Sequence, residues 1–96
     1  MNVFSKQYRQ ATEELTGWLV DNPDIASQQP GFFQRLHELL AAGYRASSQE
    51  KATAIAKTIV HMSVDSGPQA TLEDGFLPSL DLICRAIEKI EKRARR

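Results

Sequence analysis

Apolar side chains recur along this chain at helical spacing in four stretches, separated by helix-stopping residues near positions 22, 46 and 67. Phe4, Tyr8, Ala11, Leu15 and Trp18 follow one another at intervals of four and three, with Lys6, Arg9, Glu13 and Glu14 between them. That pattern puts one apolar stripe on a helix over residues 4–20. Asp21-Asn22-Pro23-Asp24 ends it, because the residue before a proline is pushed out of the α region and Asn and Asp bond their own turns. Residues 21–30 read as a connector, polar apart from Ile25 and Ala26, in which Pro23 can open a short helical turn.

Phe32, Phe33, Leu36, Leu39, Leu40 and Tyr44 form the widest apolar face, on a second helix that Pro30 suits as a first-turn residue. Ser47-Ser48-Gln49-Glu50 has the Ser-x-x-Glu form of a capping box and predicts the start of a third helix. Ala52, Ile55, Ala56, Ile59 and Val60 share one side of it, and Asp65-Ser66-Gly67-Pro68 stops it, with Gly67 available for a left-handed cap. Gly75 and Pro78 allow only a bend or short turn after Thr71. From Pro78 onward, Leu80, Ile83, Cys84, Ile87, Ile90 and Ala94 make a stripe over four turns, with Glu88–Lys92 and Glu91–Arg95 as ordered i,i+4 pairs. No period-two alternation between hairpin turns occurs. The expectation is therefore all-α: a compact up-down bundle of about four helices with short connections, forming one domain over residues 1–96. Its core should contain Tyr8, Leu15, Leu36, Leu40, Ile55, Ile59, Leu80, Ile83 and Ile87.

Composition narrows the partners. Twelve basic residues balance twelve acidic ones, so the bulk positive field of a dedicated nucleic-acid binder is missing. The single cysteine, Cys84, cannot close an intramolecular disulfide, and no apolar run is long enough for a membrane span. The cytoplasm is the expected compartment, with no membrane partner.

The chemistry-bearing residues form no catalytic pattern. His37 and His61 share no metal-ligand spacing with other ligands beyond His61 and Asp65, so neither a metal nor another cofactor is expected. Cys84 lies on an apolar stripe, where burial would raise its pKa and hide it. The serines at 47, 48, 66 and 79 stand at caps and turns, outside any nucleophile elbow. Catalysis is accordingly not expected.

Charge is segregated within the neutral chain. Asp65, Glu73, Asp74 and Asp81 are the only charged residues from 65 to 81, making either a solvated loop or an acidic docking surface for a basic partner. Residues 89–96 carry Lys89, Lys92, Arg93, Arg95 and Arg96 against Glu91. Bases at a helix C-terminus suit the macrodipole, and they could alternatively hold phosphate, though without interleaved aromatic residues to stack on bases. Phe32 and Phe33, about 100° apart on a helix, cannot both face one way, which makes one of them a candidate surface anchor.

These features favour a non-catalytic protein-interaction module: a small inhibitor, an immunity protein or an adaptor, binding through the acidic or the aromatic residues. The alternative is a nucleic-acid-associated regulator that uses the basic helix end. A homodimer is a further possibility, with the Phe32–Tyr44 helix as its seam.

Overall fold

In the computed structural model, which describes residues 2–72 and 75–94, the chain forms α1 (Ser5–Asp21), α2 (Pro23–Gln28), α3 (Pro30–Arg45), α4 (Gln49–Ser66) and α5 (Pro78–Ala94). A 3₁₀ turn, Gln69–Leu72, precedes α5. Four long helices make an up-down-up-down bundle. The direction of each follows from its contacts: Asn2, just before α1, reaches the C-terminal end of α3, Trp18 meets Phe33 across a centroid distance of 5.6 Å, and Lys57 pairs with Glu91. Around the bundle α1 lies between α3 and α5, and α4 closes the ring opposite α1. The expected connector is itself mostly helical, since Pro23 starts α2 and Pro30 starts α3; a proline loses nothing at a position whose N–H has no helical partner.

The core is one contiguous cluster. Eight of the nine expected core residues are buried, and Ile55 is half-buried against them. Leu77 and Phe4, which lie outside or at the start of the stripes, are buried as well. At the centre Tyr8 is fully enclosed, and its hydroxyl donates to the carbonyl of Ala52 on α4, spanning the bundle's diagonal. Burial, and then the nearby Cys84, push its pKa above the ordinary phenol value. The ring lies directly over Gly43 of α3, where a Cβ would come within 2.4 Å of the Tyr8 Cε1. Here α1 packs against α3 so closely that only glycine leaves room for the ring.

Local end signals are partly replaced by tertiary ones. The capping serine of α4 is Ser48, which accepts from the Lys51 N–H at 3.2 Å; the expected Ser47–Glu50 box is therefore displaced by one residue and has no reciprocal acid. Gly67 is extended, at φ −78° and ψ 155°, and not left-handed, because Pro68 forces the residue before it into that region. Gly75 takes the positive φ, at 83°. The carbonyls of Gly43 and Ala46, at the end of α3, both accept from the Asn2 side-chain amide at 2.9 Å.

The start of α5 is held by Glu14 of α1, whose carboxylate accepts from the Ser79 N–H at 3.1 Å and from the Ser79 hydroxyl at 2.9 Å. An anion at a helix N-terminus satisfies a free donor and complements the dipole. Glu14→Ala is expected to lower stability by about 1–2 kcal/mol, the usual worth of an N-cap, and Glu14→Gln by less. A urea titration showing no shift in midpoint for Glu14→Ala would refute this role.

Candidate interaction site

The four neighbouring helix pairs do not pack equally: α4 and α5 make the loosest seam. The reason lies in their sequences, where each helix carries apolar residues beyond the stripe that the core needs. On α4 Ala52, Ala56 and Ile59 face inward, and Val60, about 100° further round, is left 43% exposed. On α5 Leu80, Ile83 and Ile87 face inward, and Cys84 turns toward α4. The result is an apolar groove with two depressions of about 170 and 180 Å³ that share Val60 and Cys84. The first lies over Leu36, Ile59 and Leu80, with Thr71, Leu72 and Phe76 at its end. The second lies over Ala56 and Ile87 and is closed by the Lys57–Glu91 ion pair. Val64 and Leu72 stand over the rim, 65% and 53% exposed. The folded chain exposes 6387 Å², more than the ~5,500 Å² that a monomer of this mass usually shows.

Acids border the groove. Asp81 and Glu88 line it from α5. Burial raises the pKa of the Cys84 thiol, and the charges of Asp81 and then Glu88 raise it further. Both effects favour the thiol over the more reactive thiolate. Cys84 is half-buried on the groove wall and not hidden in the core as its stripe suggested.

The residues singled out by sequence are distributed unevenly over this geometry. Asp81 stands on the groove, Asp65 is exposed near the end of α4 but lines neither depression, and Glu73 and Asp74 lie outside the described residues. The aromatic-anchor expectation fails at Phe33, which is buried at 4% exposure in the core between Trp18 and Phe32. Phe32 is half-buried, edge-on to Phe33 at 5.2 Å, and its Cζ lies 2.9 Å from where a Cβ on Gly67 would stand. Consecutive positions on α3 both pack inward because Phe33 meets α1 while Phe32 closes the end of α4. The apolar face of α3 is largely spent within the bundle, and none of the exposed large hydrophobic residues belongs to it. Lys89, Lys92 and Arg93 are exposed on the last turns of α5, and Arg95 and Arg96 lie outside the described residues. Glu91 turns away from that end to meet Lys57.

His37 is half-buried on α3, His61 is exposed on α4 at the second depression, and among the described residues no three His, Cys, Asp or Glu side chains converge. No helix among the described residues is long and apolar enough to cross a membrane. The groove residues Val64 and Leu72 went unmarked by the sequence reading, although both are apolar residues outside a completed stripe. No known protein-family model matches this chain, and neither the curated proteins nor the solved structures include a match to it.

Proposed function

We propose that this chain is a non-catalytic protein-interaction module, acting in the cytoplasm as a small inhibitor, immunity protein or adaptor, and that it binds its partner across α4 and α5. The observation that carries the reading is the open α4–α5 seam: an apolar groove with Val60, Val64 and Leu72 exposed above it and carboxylates along its border. Apolar side chains grouped around a concavity and rimmed by polar residues are the usual form of a protein-binding surface. The acids set the sign of the partner, since complementary charge steers association.

The test uses a photo-crosslinking amino acid at position 64, over the groove, and at the exposed position Gln34 on α3 as a control. Irradiation in the source cells is expected to join a second, different protein to the chain from position 64 and not from position 34. Asp81→Asn should weaken that adduct. Equal adducts from both positions, none from position 64, or adducts only to nucleic acid would overturn the proposal.

A further inference from the structure

We infer that the α4–α5 groove is a receptor for a basic amphipathic helix of a partner protein. The inference rests on the reading that this face binds protein, and adds the shape and charge of what it takes. Shape comes first. The groove runs between two antiparallel helices whose backbones are already bonded internally, so it presents no strand edge to an extended peptide. A segment lying on apolar walls must satisfy its own N–H and C=O groups, which a helix does and a strand does not. Each depression is comparable to the ~150 Å³ apolar cavities that accept an aromatic ring, and so takes one large side chain. Their linings on α5 run over about three turns, from Leu80 and Asp81 to Ile87 and Glu91, with Cys84 common to both. An occupant helix reaches both with apolar residues at i, i+3 or i+4, and i+7.

Charge then selects the partner. Asp81 and Glu88 line the groove and take part in none of the ion pairs among the described residues, while Lys57, the lysine on its wall, is engaged by Glu91. Arg85, one turn beyond Asp81 on α5, lines with it a separate depression that also includes Gly75, Pro78 and Leu82, and makes no ion pair with it among the described residues. An occupant flanked by lysine or arginine would neutralise these acids. A second copy of the chain fits worse, because a two-fold contact here sets the acidic border against itself.

The probe is an 18-residue leucine–lysine helix with leucines at i, i+3, i+4 and i+7, and its control is the same peptide with glutamate for lysine. The readout is the reaction of Cys84, the only cysteine, with a maleimide; it lines both depressions and reports their occupancy. With the full chain, saturating leucine–lysine peptide is expected to slow labelling at least about tenfold, the control to leave it unchanged, and added salt to reverse the protection. Val60→Asp and Val64→Asp change exposed residues, so the fold should persist while protection is lost. Asp81→Asn with Glu88→Gln should weaken peptide binding about tenfold. Protection by both peptides alike, by neither, or undiminished in the valine variants would overturn the inference. So would light scattering that showed the free chain to be a dimer with Cys84 already shielded. Loss of the peptide effect with the position-64 adduct intact would remove the helical occupant and leave the interaction module standing.

Discussion

Tyr8→Ala is expected to cost about 3–5 kcal/mol, the range for removing a buried aromatic ring, against a total of about 5–15 kcal/mol for a domain of this kind. The ring is fully enclosed, covers Gly43 and sends its hydroxyl across the bundle to Ala52. Tyr8→Phe keeps the ring and loses the hydrogen bond, so it should cost only about 1 kcal/mol. The same geometry fixes the sign of a second change. In the native background Gly43→Ala drives a Cβ to 2.4 Å from the ring and should destabilise by about 1–3 kcal/mol. In the Tyr8→Ala background the obstacle is gone, and Gly43→Ala should stabilise by up to about 1 kcal/mol through helix propensity. Urea titrations of the four proteins close the cycle. A Tyr8→Ala cost under about 1 kcal/mol, or a Gly43→Ala effect of the same sign in both backgrounds, would contradict this packing.

Ile83→Ala is expected to cost about 2–5 kcal/mol, because the side chain is 0% exposed and its loss leaves a cavity among rigid helices. Its neighbour Leu82 is 55% exposed, so Leu82→Ala should change stability by no more than about 0.5 kcal/mol. One residue separates them, but about 100° of helix rotation puts one in the core and the other in water. Thermal and urea unfolding of the two variants side by side measures that contrast. An Ile83→Ala cost below about 0.5 kcal/mol would place α5 in a different rotation about its axis.

Leu80, Ile83 and Ile87 were legible as core because a spacing of three and four names one face of a helix whatever that face meets. Phe32, Val60 and Cys84 were not, because each lies at the edge of its stripe, where the adjoining helix decides whether it is covered. Phe32 is covered by the end of α4, while Val60 and Cys84 face the seam that α4 and α5 leave open. Of the candidate interaction residues, the sign of the acidic stretch could be read directly, but not which acids stand beside an apolar surface. Asp81 does, while Asp65 is exposed outside both depressions.

The four long helices, their order and the middle of the face each buries were legible from the chain alone, since periodicity, prolines and polar connections act within a few residues of chain. Tertiary structure decided what depends on residues far apart. It brought Glu14 to the start of α5 across 65 positions and Asn2 to the end of α3 across more than 40. It laid Tyr8 over Gly43, and it left the α4–α5 seam open. A helix end needs a hydrogen-bond partner and an apolar stripe needs a cover, and local sequence specifies both needs without naming the group that meets them.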